Sequence, residues 1–267
     1  MTLVLLPARR LAMLAAVATA LPAGRLTSQA PKTPANGAAV LEAMRAAYAG
    51  KWYHTLTFTQ KTTFHRTEGV SEETWYETLS HSAAAGTKLR IDRGDLAAGN
   101  GIIFTPDSTF VVRGGKPGPV RPTGNEFLPL IEGVYVQPVT KTVAELAQMK
   151  VDMNRVMAGK FEGKPVWIVG AASASDTTSP QFWIDTDRKV LVRMMLRPND
   201  AQPPLDVHLS GYQKVGNGAW LATKIMMTQG GKPIQGEEYS AWKVDVPVDA
   251  ALFDVAKWST AKHWAKK

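Results

Sequence analysis

The chain has 267 residues, 45% of them hydrophobic, enough for a sizeable core and incompatible with global disorder. Its formal charge of +8 is dispersed as single Lys and Arg residues, with no basic run interleaved with aromatics, so no nucleic-acid groove is indicated. The absence of cysteine excludes disulfides, a thiolate nucleophile, zinc–thiolate ligation and lipidation through an N-terminal cysteine.

Residues 1–24 carry a secretory signal pattern, with Arg9 and Arg10 as the positive flank, an apolar run over 11–21 and the small residues Ala23 and Gly24 after it. About eleven apolar residues are short for a membrane-crossing helix, which needs about 20. Removing the segment takes away two arginines and no acid, so the charge of +8 becomes +6. The mature chain is then expected to be soluble in the periplasm; an N-terminal anchor that is retained is the alternative. Residues 25–37 read as a flexible linker and 38–258 as one domain, with 259–267 a frayed tail.

Within the domain, Val40, Leu41, Met44 and Tyr48 fall at helical spacing over 38–49, with Gly50 where a C-cap belongs. Residues 52–65 turn to period two, Leu56 and Phe58 facing one way and Thr55, Thr57 and Thr59 the wet side. Strands over 73–81 and 88–92 follow, then a hairpin of 102–104 with 109–112 and a Gly/Pro-rich loop over 114–124. Residues 127–136 are ambiguous between a helical turn and irregular chain. A second helix is predicted over 142–153, from the stripe Val143, Leu146, Met149 and Met153, capped by Thr140 or Thr142.

From 155 to 246 the chain is one hairpin after another. Alternating stretches at 166–169, 182–185, 190–196, 207–209 and 221–227 are separated by turn residues such as Glu162-Gly163, Asp185-Thr186-Asp187, Gly216-Asn217-Gly218 and Gly230-Gly231. Leu252 and Phe253 then leave the sheet and could plug it. Some ten or eleven strands predict a mainly β (α+β) fold: a strongly curved antiparallel sheet wrapped as an unclosed β-barrel, with a helical lid across the open side.

No chemistry accompanies these strands. His54, His65, His81, His208 and His263 show no metal spacing. Asp185 and Asp187 flank a hairpin tip, without the further oxygen ligands of a calcium loop. There is no Gly-x-Ser-x-Gly elbow, and Gly99-Asn100-Gly101 and Gly114-Gly115 precede no helix that could seat a phosphate. Glu72-Glu73 and Glu237-Glu238 are adjacent pairs that face opposite ways on a strand. No cofactor or metal is implied. Eight tryptophans and ten methionines, many within the strands (Trp75, Trp167, Trp183, Trp220, Trp242, Met194, Met195, Met226, Met227), point to an apolar cavity instead.

On these residues the chain resembles the LolA/LolB-like superfamily of outer-membrane lipoprotein-sorting proteins, in their soluble LolA-like form. The resemblance is carried by the first helix running into Leu56-Thr57-Phe58-Thr59-Gln60, by Phe182-Trp183-Ile184-Asp185 followed by Val190-Leu191-Val192-Arg193-Met194, and by the closing Leu252-Phe253. It implies a half-open barrel whose cavity takes acyl chains, a carrier rather than an enzyme, with lipid or lipoprotein as cargo and a membrane-protein donor or acceptor. A monomer is expected, with no nucleic-acid partner. Face alternation picks as lipid-binding wall residues Leu56, Phe58, Trp75, Leu89, Ile91 and Phe110 in the first half. In the second half it picks Ile168, Ile184, Val192, Met194, Leu209 and Ile225. The alternative is a sensing or regulatory module for envelope lipids with a membrane-protein partner. An enzyme would announce itself by carboxylates of strongly shifted pKa in the cleft.

Overall fold

The computed structural model describes residues 32–82, 86–197, 199 and 201–266; the expected signal segment 1–24 and the first part of the expected linker, 25–31, lie outside the described residues. A meander of β1 (Thr55–Arg66), β2 (Gly69–Ser82) and β3 (Gly86–Arg93) continues into β4 (Gly101–Phe104), β5 (Thr109–Arg113) and the short β6 (Lys116–Pro117). The second half supplies β7 (Val156–Phe161), β8 (Lys164–Val169), β9 (Gln181–Asp185), β10 (Leu191–Leu196) and β11 (Leu205–Ser210). After a separate hairpin of β12 (Gln213–Val215) with β13 (Ala219–Leu221) come β14 (Lys224–Gln229) and β15 (Lys232–Val244).

Among the described residues, thirteen strands form a single curved sheet in the order β6-β5-β4-β3-β2-β1-β15-β14-β11-β10-β9-β8-β7, not closed by hydrogen bonds. Strands from the two ends of the chain, β1 and β15, pair antiparallel in its middle. The expected strand over 221–227 is divided. Leu221 belongs to β13, and Thr223 is tied instead to the end of β11, its N–H donating to the Ser210 carbonyl (3.1 Å) and its hydroxyl to that of Gly211 (2.8 Å).

Three helical pieces pack on the inner face. Helix α1 (Gly37–Ala47) is capped by Asn36, whose side chain accepts from the Ala39 N–H at 2.9 Å, and it buries Val40, Leu41 and Met44. It stops short of the expected 49; Tyr48 turns away to donate its hydroxyl to the Arg188 carbonyl. Residues 127–136 resolve as a π-helical turn (Pro129–Gly133) running into α2 (Val134–Val136). Helix α3 (Val139–Gln148) begins before either expected threonine cap because Pro138, with φ −58°, already sets the entry. It ends before 153, where Lys150 adopts a left-handed conformation (φ 61°).

The C-terminal residues do not fray. Two 3-10 turns, Ala250–Phe253 and Val255–Lys257, lead a segment across the outer face of β2–β5. Leu252 is buried there, on the outside of the sheet rather than in its hollow. Arg90 and Asp92, on the outward side of β3, form a buried bidentate pair (both contacts 2.7 Å), and Arg90 also reaches the carbonyls of Leu252 (3.2 Å) and Trp258 (3.3 Å). The Trp258 ring lies 3.7 Å from the Arg90 guanidinium and packs with Ile103 and Val112. His263 meets Asp92 at 3.1 Å, and the Trp264 indole donates to Thr78 at 2.8 Å. Burial alone would raise the Asp92 carboxyl; hydrogen bonds from His263 and Arg90 hold it below its ordinary value. Thr57, expected on a wet face, is buried beside Thr78, its partner in the β1–β2 register.

Close approach at this seam explains Gly101: a Cβ there would sit 2.0 Å from the Ile91 carbonyl oxygen and 2.7 Å from the Trp258 ring. Trp258, 3% exposed, is the anchor. Replacing it with Ala is expected to cost about 3–5 kcal/mol, read as a lowered urea midpoint. A variant as stable as the parent would show that the segment merely rests on the sheet.

Candidate functional site

The inner face is laid out by register. On β1, Leu56, Phe58 and Gln60 point inward and pair with Leu79, Glu77 and Trp75 of β2. The rows continue through Leu89 and Ile91 of β3 to Phe104 and Ile102 of β4. On the other side of β1, Tyr239, Glu237 and Gln235 of β15 oppose Gln60, Thr62 and Phe64, and Ile225 and Met227 of β14 follow. The helical pieces cover only part of this surface. Glu132 and Tyr135 of these pieces, with Trp52, form a roof, and a cavity of ≈ 330 Å³ is left between roof and sheet. That is within the range of small-molecule pockets. A second cleft of ≈ 570 Å³ lies along α3, but residues such as Asp107, Glu126, Lys141 and Glu145 make it a charged surface groove.

Of the wall residues expected from alternation, Leu56, Phe58, Trp75, Leu89, Ile91, Leu209 and Ile225 line the cavity. Phe110 does not: it pairs with Ile103 on the outer face and packs toward Trp258. Ile168 also faces outward, against Gly159, where a Cβ would lie 2.6 Å from its Cδ1. Val192 sits at the register shift between β9 and β10, beside Phe161 and Val166. Ile184 and Met194 share the inner rows of Leu191 and Val207, yet both are fully buried in the packed core, away from the hollow. Methionine contributes little to the wall, where Met227 is the sole one among the described residues; Met226 faces solvent, 41% exposed. Asp185 is a turn former, accepting from the backbone N–H groups of Asp187 (3.0 Å) and Arg188 (2.8 Å).

Three glutamates also reach the cavity, and face alternation gave no reason to seek them. Glu132, on the π-helical turn, accepts from the Trp52 indole (2.9 Å) and the Tyr53 hydroxyl (2.6 Å) and meets His81 Nε2 at 3.1 Å. This ties the roof to β2 and to the approach to β1. Burial, and then the charge of Glu132, push the Tyr53 phenol well above its ordinary range. Glu237, 8% exposed, accepts from Gln235 Nε2 (2.7 Å) and the Tyr239 hydroxyl (2.8 Å); burial raises its carboxyl despite these bonds. Glu77 is 4% exposed and, among the described residues, no donor reaches its carboxyl. Burial, and then the field of Glu237, raise it well above 4.5. The adjacent pair Glu237-Glu238 does split, one in and one out, and the field of Glu237 reaches Glu77, two strands away.

No protein-family model and no curated protein sequence matches the chain. Solved structures do. A domain described as an outer membrane lipoprotein-sorting protein from Vibrio parahaemolyticus superposes with a TM-score of 0.57 at 12% identity, covering 83% of this chain and 97% of that one. A DUF1329 family protein from Desulfovibrio piger gives a TM-score of 0.57 at 11% identity, with the same coverage of 83% and 97%. At such identities the likeness is one of fold. The open, curved LolA-like sheet implied by the sequence resemblance is the fold the chain has.

A carboxyl whose pKa is raised in the folded state favours folding while it is neutral. For Glu77 that contribution is complete below the unfolded value near 4.5 and is lost as pH climbs through the raised value. Glu77→Gln is therefore expected to leave the melting temperature unchanged near pH 4.5 and to raise it by at least about 2 °C at pH 8. A gain of equal size at both pH values would mean that Glu77 is not a buried titrating group.

Proposed function

We propose that the protein is a periplasmic carrier that shelters acyl chains of a lipid or lipoprotein in the cavity between sheet and helices, without covalent chemistry. The supporting observation is the hollow itself: an inner face dressed in Leu, Ile, Phe and Trp, left partly uncovered by the helices. Each CH₂ of a chain entering it would gain about 0.8 kcal/mol by leaving water, so apolar walls alone hold a chain of useful length. The secretory pattern of residues 1–24 supports export, and the missing cysteine favours a form that is not itself lipid-anchored. The fold shared with a lipoprotein-sorting domain supports the same cargo class, with a membrane-protein donor or acceptor and the chain acting as a monomer.

One observation favours an enzyme: the two raised carboxyls in the cleft. Acid–base work by a carboxyl pair requires environments that push the two pKa values apart, so that one proton is held and one released. Glu77 and Glu237 are pushed the same way, and among the described residues lining the cavity no nucleophile with a base beside it accompanies them.

Native mass spectrometry of the protein isolated from periplasm is expected to reveal copurified lipid, and the emptied protein to take up an uncharged pyrene-labelled fatty alcohol. Phe58→Glu, which places a carboxylate against Tyr239 at the wall, is expected to weaken uptake at least about tenfold. Because that variant also strains the fold, Ile225→Trp, which fills the hollow with an apolar ring, provides the second test. A protein that emerges empty and takes up no probe overturns the carrier; one that copurifies with a membrane protein and no lipid favours the sensing module.

A further inference from the structure

We propose that the cavity is selective for amphiphiles whose polar end is a cationic amine, held by Glu77 and Glu237 beside the rings of Phe58 and Tyr239. This rests on the carrier function proposed above and adds the chemistry of the cargo's polar end.

The first observation is the charge inside. The chain as a whole is basic, at +8, yet among the described residues not one Lys, Arg or His lines the cavity; the ionisable lining residues other than tyrosines are Glu77, Glu132 and Glu237. Glu132 already has three partners, from Trp52, Tyr53 and His81. Glu237 accepts hydrogen bonds but meets no cation, and Glu77 has neither, so two acids stand in an otherwise apolar hollow without a counter-charge among the described residues.

The second observation is that Glu77 lacks a donor. It stands on an inward row otherwise filled by Leu79 on its own strand and by Leu89 and Ile91 on the next, positions where an apolar side chain serves packing better. A carboxyl buried to 4% exposure with no donor of its own points into the space a ligand would fill. Glu237 is held nearby by Gln235 and Tyr239, one on each oxygen, and by Gln60; a carboxylate's roughly four acceptor sites leave room for a further donor.

The third observation is the aromatic setting. Phe58 stands opposite Glu77 in the β1–β2 register, and its ring lies 4.4 Å from that of Tyr239, the residue that also bonds Glu237. Aromatic faces beside carboxylates are the usual recognition chemistry for an ammonium group, which offers three donors and a positive charge. An ammonium would favour the ionised form of these acids, which burial disfavours; a carboxylate or phosphate headgroup in the same place would disfavour it further, and a plain hydroxyl would offer a hydrogen bond without a compensating charge.

Isothermal titration of the full chain with dodecylamine, dodecanol and dodecanoate, each below its aggregation concentration at neutral pH, tests this directly. The amine is expected to bind at least about tenfold tighter than the alcohol, and dodecanoate more weakly than either. Glu77→Leu should bring the amine to within about twofold of the alcohol, and Glu237→Gln should narrow the gap in part. Because Glu77→Leu removes a buried carboxyl, its melting curve should show a fold no less stable than the parent. Equal binding of the three ligands by the parent overturns the amine proposal and leaves the carrier standing, as does a preference that survives both substitutions. Failure to bind any of them overturns both.

Discussion

A sheet of thirteen strands that never closes has one large apolar surface to hide and few helical residues to hide it with. Everything else in the molecule answers to that mismatch. Closure by hydrogen bonds would have let side chains fill the interior from all around, as small barrels do. Here the two edge strands stay apart, and α1, the π-helical turn with α2, and α3 are laid across the inner face. They pack well over the rows of Phe182, Ile184 and Met194, which are fully buried, and run out over the rows of β1–β4, β14 and β15. The hollow is thus where the coverage ends, and its position follows from how short the helices are.

The outer face is handled by different physics. Its apolar patch at Ile103 and Val112 is sealed by Trp258, but the segment carrying that ring is pinned by charge: a buried arginine–aspartate pair, two backbone carbonyls and a histidine. A buried ion pair adds little net stability over a well-packed apolar substitute, whereas removing one member is severe. Its value here is directional. Hydrogen bonds with fixed geometry tell the chain end where to lie, which apolar contact alone would leave loose.

Sequence patterning located the hollow where polar residues mark the outer face of a strand. Leu56 and Phe58 alternate with threonines, and the inward rows could be followed from there through Leu89 and Ile91, which alternate with Lys88, Arg90 and Asp92. It failed where both faces are apolar. Every residue of β9 is buried, as are the last four of β8, so alternation between sides carries no signal at Ile168. At Val192 a register shift turns the side chain out, and such a shift has no sequence mark. The glutamates were missed for another reason. Alternation picks apolar residues by their neighbours in sequence, while Glu77 and Glu237 meet only through the pairing of both of their strands with β1. Residues 259–267 read as a loose end because His263 stands among lysines, and its burial depends on Asp92, far away in the chain.

The triple anchorage of Glu132 sets a limit on how the molecule can deform. Its carboxylate gathers Trp52, Tyr53 and His81 from two separate stretches of chain onto one point of the roof. Pulling that point away would strand a desolvated charge and three polar groups at once, a penalty of several kcal/mol with no gradual route through it. This corner behaves as a rivet. Breathing that admits a bulky guest is less costly at the ends of the sheet, where β6 and β7 are not paired with each other.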